Sequence, residues 1–292
     1  MNYHEFTVRA DDGVMLSIVE KSNGGDKRPK ILLVHGSGCG WEYWDVPLND
    51  YSIMDGLARD GFSVYALNCR GYGESDRPDG RTITVPRLAK DAAIVAGEIC
   101  EPGEKIGLVG HSSSGIVVLM AAAETPGLWS GLALLGTPYR RINPQFEAYA
   151  SQMIKAAETE GEDTVPNSHH LEIETRLNDP EDEIIDWYKD LISKIYPRIP
   201  AAIFAHVAEN PTIPLIPDIQ VPTLLINGSN EYVVDAEDAL DLLTDLGSDD
   251  KGVVILPGSY HLPFLEKQGH GDLLACLKFW FSRHSLPWSG SG

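Results

Sequence analysis

Cysteine is scarce in this chain, with four among 292 residues, at positions 39, 69, 100 and 276. They show no Cys-x-x-Cys spacing, which argues against both a disulfide framework and a cysteine-built zinc site. Basic residues are also few: 23 Lys and Arg face 43 Asp and Glu, for a formal net charge of −20. A surface of that sign repels phosphate backbones, so nucleic acid is not an expected partner. No apolar run approaches the roughly 20 residues that a helix needs to cross a bilayer. The opening Met1-Asn2-Tyr3-His4-Glu5 lacks the basic stretch and apolar run of a secretory leader. A cytoplasmic protein without a membrane span is the expectation. Internal repeats and low-complexity segments are missing as well, and the closing Ser289-Gly290-Ser291-Gly292 reads as a linker outside the fold. Oligomeric state leaves no mark.

Hydrophobic residues make up 43% and charged residues 23%, enough for a sizeable core. Short apolar runs recur at Ile31–Val34, Val64–Leu67, Ile106–Val109, Leu132–Leu135, Leu224–Ile226 and Val253–Leu256. Runs that are apolar throughout, rather than alternating, suit strands covered on both faces, as in parallel sheets. Phe6–Val8 and Met15–Val19 flank an Asp11-Asp12-Gly13 turn and predict a hairpin. Leu88, Ala92, Val95 and Ile99 repeat at helical spacing, as do Leu273, Leu277, Trp280 and Phe281. The expected fold is α/β: a mostly parallel twisted sheet flanked by helices. The rhythm breaks between residues 138 and 217, where no convincing buried strand occurs. A helix-like stretch at Phe146–Ile154, an acidic stretch at Glu158–Asp163 and a helix marked by Trp187, Leu191 and Ile195 stand there instead. The expected organisation is a core of residues 1–137 and 218–292, with a mainly helical cap of residues 138–217 inserted after the sixth strand.

Gly110-His111-Ser112-Ser113-Ser114-Gly115 directly follows the Ile106–Val109 run and leads into the apolar Val117-Val118-Leu119-Met120. A nucleophile flanked by small residues at a strand-to-helix junction is the pattern of a nucleophile elbow. Ser112 is the candidate, because Gly110 and Ser114 are small two places to either side. A nucleophile at Ser113 would put bulky His111 in the tight turn.

Here the chain resembles the α/β-hydrolase superfamily, in its serine-nucleophile, esterase- and lipase-like form. His35-Gly36-Ser37-Gly38 is similar to the family's oxyanion loop. Asn68-Cys69-Arg70-Gly71-Tyr72-Gly73-Glu74-Ser75 resembles its Asp-x-Arg-Gly-x-Gly-x-Ser turn, with Asn68 in place of the usual aspartate. Gly228-Ser229-Asn230-Glu231 matches the turn carrying the acid, and Pro257-Gly258-Ser259-Tyr260-His261 the loop carrying the base. The insertion corresponds to the family's variable cap.

A serine hydroxyl needs a base within reach, and His261 follows the last predicted strand in the order Ser…acid…His. His111 belongs to the elbow itself. His169 and His170 read as a surface pair or a cap contact rather than a metal site. A carboxylate must hold the imidazole tautomer. Glu231 is the first choice and Asp235 the competitor, while Glu237 and Asp238 look like helix first-turn residues complementing the dipole. The resemblance makes the backbone N–H groups of Ser37 and Ser113 the oxyanion donors, each worth about 3 kcal/mol in the transition state. Trp41, Trp44, Tyr139 and Trp187, with Phe146, Tyr149, Met153 and Tyr188, are candidates to line a substrate pocket. The expected activity is cleavage of a carboxylic ester or lactone through an acyl-enzyme, without metal or cofactor. A serine at the nucleophile position argues against epoxide and haloalkane hydrolysis, for which the resembling families use aspartate. C–C bond hydrolases, thioesterases, amidases and perhydrolases share the fold, as do slow-turnover small-molecule receptors and inactive interaction proteins.

Overall fold

The computed structural model describes all residues except 1, 25–27, 142, 145–146, 149, 153, 156–162, 203–208 and 286–292. The first two strands, β1 (Asn2–Arg9) and β2 (Met15–Ser22), form the anticipated antiparallel hairpin. Its turn closes at Gly13, whose φ of 91° suits a residue without a Cβ. The apolar runs then become β3 (Lys30–Val34), β4 (Ser63–Leu67), β5 (Ile106–His111) and β6 (Trp129–Leu135). Two three-residue strands follow, β7 (Thr164–Pro166) and β8 (Arg198–Pro200), and then β9 (Thr223–Gly228) and β10 (Lys251–Leu256). All but β7 and β8 join one eight-stranded sheet in the order β1-β2-β4-β3-β5-β6-β9-β10. The six strands from β4 to β10 run parallel, and β2 pairs antiparallel with β4. Their crossovers put helices on both faces, so β4 and β5 are buried along their whole length, as uninterrupted apolar runs require.

Helix α1 (Ile53–Arg59) is capped by Ser52, whose side chain accepts from the Asp55 N–H. Helix α2 (Val85–Ile99) is capped by Thr84, carries a proline in its first turn and buries Leu88, Ala92 and Val95. Helix α3 (Ser113–Glu124) has no polar stripe; ten of its residues are buried, so it packs all round as the core helix under the site. In the C-terminal helix (Gly269–Ser285) the Leu273, Leu277, Trp280 and Phe281 stripe is buried. Gly107 of β5 leaves room for the Phe281 ring, which would lie 2.4 Å from an added Cβ. Among the described residues, no helix is long and apolar enough to cross a membrane.

Between β6 and β9 lie a kinked 3-10 segment (Ser168–Arg176), a helix (Asp182–Lys194) and a 3-10 turn (Ile213–Asp218). The β7–β8 ladder, pairing Val165 with Ile199, was not anticipated. Three-residue strands that end in proline are too short for any alternation to show. Of the expected helix at 146–154, residues 146, 149 and 153 lie outside the described residues, as does most of the acidic stretch.

Candidate active site

Ser112 sits between β5 and α3 with φ 55° and ψ −127°, a conformation a non-glycine residue holds only when its surroundings impose it. The turn is tight because its flanks are small. A Cβ on Gly110 would lie 2.5 Å from the Ser114 carbonyl oxygen, and one on Gly36 would lie 3.2 Å from the Ser112 Cβ. The Ser112 N–H donates to the Leu135 carbonyl at 2.7 Å, and the Ser114 hydroxyl donates to the His35 carbonyl. Three neighbouring strand ends thus fix one turn.

His261 Nδ1 lies 2.9 Å from Glu231 Oε2, with both side chains about 5% exposed or less. A carboxylate there fixes the proton on Nδ1 and leaves Nε2 as the acceptor. The other carboxylate oxygen, Oε1, accepts the N–H groups of Tyr232 and Val233, each at 2.9 Å. The structure therefore pairs the imidazole with Glu231 and leaves Asp235, exposed at a helix start, out of the arrangement. The two loops are stitched together. Asn230 donates its backbone N–H to the Ser259 carbonyl and its side-chain amide to that of Gly258, while the Gly258 N–H donates to the Ser229 hydroxyl.

Gly136, directly after β6, was not singled out in the sequence. Its φ is 54°, and an added Cβ would stand 2.8 Å from His261 Nδ1 and 3.0 Å from Glu231 Oε2. The signal was a glycine closing an apolar run. Glu237 and Asp238 stand in the first turn of the helix Ala236–Asp245, as expected. Asp238 is in addition fully buried and accepts the N–H groups of Tyr139, Arg140 and Arg141 at 2.7, 2.9 and 2.9 Å. Burial raises its pKa, against the lowering effect of those hydrogen bonds.

His111 does more than fill space. Burial, and next to it the neighbouring His261, holds its pKa well below the ordinary histidine value, so the ring is neutral. Its Nε2 meets the His261 carbonyl at 3.0 Å and its Nδ1 meets the Tyr43 hydroxyl at 3.1 Å. That hydroxyl in turn accepts the Gly36 N–H. With Nε2–H donating and Nδ1 accepting, one chain of hydrogen bonds joins the loop of Gly36, the elbow and the loop of His261. Under the same loop, His35 Nδ1 donates to the Gly36 carbonyl at 2.8 Å, and its Nε2 accepts the Cys69 N–H at 3.0 Å. Burial lowers the His35 pKa to about 4.

Ser112 and His261 line one cavity of about 370 Å³, its mouth included, together with Ser37, Tyr43, His170, Tyr188 and Tyr232. A second cavity of about 250 Å³ shares Gly36 and Ser37 and is bordered by Ser113. As the first residue of α3, Ser113 has an N–H without a partner inside the helix. Of the residues expected to line a pocket, Tyr188 borders the first cavity, whereas Trp41, Trp44, Tyr139 and Trp187 line neither. Trp44 is buried against Tyr43 and Phe264. Trp41 is half-buried beside Tyr3. Tyr139 is buried and donates to Asp245 at 2.8 Å. Trp187 lies one step round the helix from Tyr188, which does reach the cavity. Phe146, Tyr149 and Met153 lie outside the described residues. His170, expected at a surface or cap contact, comes to the cavity wall. Its Nδ1 is 2.8 Å from the Tyr188 hydroxyl, and its ring packs on Gly38, where no Cβ would fit.

The segment between β6 and β9 grips the loop that carries Ser37. Asn167, buried to 1% exposure, donates one amide to the Gly38 carbonyl at 2.6 Å and to the Tyr196 carbonyl at 2.9 Å. The Tyr196 hydroxyl donates to Glu42 at 2.8 Å. Among the described residues, no group of three or more His, Cys, Asp or Glu side chains could hold a metal ion.

The sequence profile of the family described as serine aminopeptidase, S33, matches residues 25–268. A triacylglycerol lipase of Pseudarthrobacter phenanthrenivorans is 28% identical over 132 residues, which are 45% of this chain and 39% of the lipase. A monoacylglycerol lipase of Mycolicibacterium smegmatis is 23% identical over 250 residues, covering 83% of this chain and 84% of its own length. Against the triacylglycerol lipases, this chain spans well under half of the relative. Among solved structures, a thermophilic esterase from Thermogutta terrifontis, determined with malate bound, superposes with a TM-score of 0.76. It is 23% identical, with 98% of this chain and 100% of the esterase covered. That likeness carries the fold.

Proposed function

The chain belongs to the α/β-hydrolase superfamily, through the family described as serine aminopeptidase, S33, and from that premise we propose that it cleaves a carboxylic ester or lactone with Ser112 as nucleophile. The observation that carries the reading is an imidazole bound through Nδ1 to a buried carboxylate, on the wall of the same cavity as a strained serine. Ser112 Oγ gives its proton to His261 Nε2 and bonds to the acyl carbon. The carbonyl oxygen, now negative, is held by the Ser37 and Ser113 N–H groups. The carbon–oxygen bond to the leaving alcohol breaks, and that oxygen takes the proton back from His261. Water then gives a proton to Nε2, attacks the acyl-enzyme and releases the acid, and the proton returns to Ser112. Glu231 holds the tautomer and steadies the transient imidazolium. Residues 138–217 act as a cap over a core of residues 1–137 and 218–292.

The family's description names an aminopeptidase, a reaction that must hold a substrate α-ammonium. Among the described residues lining the cavity there is no Asp or Glu to receive one, which favours the ester. Relatives named lipases support the same choice. The test combines a fluorophosphonate probe with p-nitrophenyl esters. The wild type is expected to take up one equivalent of probe and to turn the esters over, and Ser112→Ala to do neither. Labelling with no turnover of any ester would instead favour a small-molecule receptor.

A further inference from the structure

The loop of Gly36 and Ser37 and the loop of His261 come from opposite ends of the chain, and one hydroxyl reaches both. We propose that Tyr43 is a positioning residue: its hydroxyl orients the peptide that precedes Ser37 and, through His111, holds the main chain of His261. Oxyanion donor and base would then be set by one hydrogen-bonded unit. This inference rests on the serine-hydrolase reading above and extends it to a side chain outside the set of Ser112, His261 and Glu231.

The oxyanion side follows from peptide planarity. In a trans peptide the C=O and N–H point in opposite directions, so holding one end aims the other. The His35–Gly36 peptide is held at both ends. The Ser114 hydroxyl donates to the His35 carbonyl, and the Tyr43 hydroxyl accepts the Gly36 N–H. The Gly36 N–H is therefore engaged and is not offered to an oxyanion. The next peptide starts from that fixed plane. Its carbonyl, of Gly36, takes the His35 Nδ1–H at 2.8 Å, and its N–H is that of Ser37. Little slack remains, since a Cβ on Gly36 would stand 3.0 Å from His111 Nδ1 and 3.2 Å from the Ser112 Cβ.

The base side follows from proton bookkeeping. The Tyr43 hydroxyl lies 3.1 Å from His111 Nδ1, and His111 Nε2 lies 3.0 Å from the His261 carbonyl. Burial holds the Tyr43 phenol well above its ordinary pKa and the His111 imidazole well below its own. The phenol thus keeps its proton and the ring carries only one. A neutral imidazole that accepts at Nδ1 must donate from Nε2, so the two bonds require each other. Packing repeats the link. The Tyr43 ring stacks on Phe264, three residues past His261, with centroids 4.4 Å apart and planes 12° from parallel. It meets the His111 ring edge-on at 5.5 Å. Tyr43 is 1% exposed, so bulk water does not replace a bond lost there.

The full chain would be assayed on p-nitrophenyl butyrate and ethyl butyrate. Tyr43→Phe keeps the ring and removes the hydroxyl. It is expected to lower kcat and kcat/KM together by about 10- to 100-fold with KM nearly unchanged, the scale of a small misplacement of reacting groups. The loss in kcat/KM should be about threefold or more greater on ethyl butyrate, because ethoxide needs the His261 proton to leave and p-nitrophenoxide does not. His111→Gln removes the ring nitrogen that accepts from Tyr43. Combined with Tyr43→Phe, it should cost no more than the larger single change, within about threefold, whereas independent changes multiply. Should either variant not fold, Ser114→Ala frees the carbonyl end of the same peptide and is expected to lower kcat with KM nearly unchanged. A lower Tm with kcat intact, in Tyr43→Phe or in that substitute, would overturn the inference. Equal losses on the two esters would overturn it too, by confining Tyr43 to the oxyanion side, and so would multiplied losses in the double variant. If the wild type neither turns over any ester nor takes up a fluorophosphonate, the serine-hydrolase reading itself falls, and the inference falls with it. Wild-type turnover with an unimpaired Tyr43→Phe would sink the inference alone.

Discussion

The carboxyl edge of the sheet and the segment between β6 and β9 each supply part of the site, and they hold it by different means. At the sheet edge, position is set largely by backbone: the strained Ser112 turn, the Ser112 N–H on the Leu135 carbonyl, and the Asn230 N–H on the Ser259 carbonyl between the loops of Glu231 and His261. Between β6 and β9, position is set by side chains: the Asn167 amide on Gly38, the Tyr196 hydroxyl on Glu42, and the His170 ring against Gly38. Backbone geometry follows from strand, turn and helix and cannot drift one atom at a time. Side-chain contacts can be exchanged singly. On the proposed reading the reacting groups come from the first region, and the second holds the loop of Ser37 in place.

The comparison breaks most sharply at Glu231. Glu231→Gln should lower kcat by about 10³- to 10⁴-fold, the scale seen when a triad carboxylate becomes an amide and the wrong tautomer is favoured, while Tm changes little. A small loss of kcat would mean that the carboxylate on His261 is structural. Asn167→Ala is next. It removes a buried donor from the Gly38 and Tyr196 carbonyls, a change worth about 1–3 kcal/mol. If Asn167 positions the loop of Ser37, proposed to hold the oxyanion, kcat falls about tenfold with KM nearly unchanged, and the rate of fluorophosphonate labelling falls in step. A drop in Tm with kcat intact would make Asn167 a fastening alone.

Beneath the loop of Gly36 and Ser37, stability is expected to depend on pH. His35 is buried as the neutral ring, its pKa lowered by burial from 6.5 to about 4. Its stabilising contribution is complete above pH 6.5 and is lost as pH falls towards 4, because the unfolded chain then binds the proton that the folded one refuses. The full loss is about 3 kcal/mol, at 1.36 kcal/mol per pKa unit. Urea unfolding at pH 7.5 and 4.5 should show that fall, and His35→Gln should flatten part of it. Equal wild-type stability at both values would contradict the assignment. The smallest effect is expected at Ser113. Its hydroxyl is buried with no hydrogen-bond partner, and its proposed role lies in the backbone. Ser113→Ala should leave kcat unchanged and shift stability by less than about 1 kcal/mol, since no hydrogen bond is lost. A large loss of turnover would place the side chain, and not the N–H, in the reaction.

The same contrast explains what could be read from residues alone. That Ser112, His261 and Glu231 would come together could be read because each follows an apolar strand, in a turn marked by glycine. The sheet followed from its apolar runs, most of them covered on both faces; Val253–Leu256 instead lies in the edge strand β10, where Ile255 is 42% exposed. The pocket was not legible, because an aromatic residue in a sequence carries no direction. Trp187 and Tyr188 were both candidates and only Tyr188 reaches the cavity, yet a signal that separates them existed. Ile184, Tyr188, Leu191 and Ile192 form the buried stripe of that helix, which turns Trp187 aside by about 100° per residue. The burial of Asp238 was hidden for a similar reason: its first-turn place was legible, but only the tertiary fold brings three N–H groups to it. Tyr43, between Trp41 and Trp44, meets His111 through contacts distant in sequence that no spacing announces.

Locating the covalent adduct tests the central claim most directly. After labelling with a fluorophosphonate, tandem mass spectrometry of the peptide containing the three consecutive serines would read which hydroxyl carries phosphorus. The account predicts modification at Ser112 alone, abolished in Ser112→Ala. An adduct on Ser113, on Ser114 or elsewhere in the chain, or one that persists in Ser112→Ala, would contradict it.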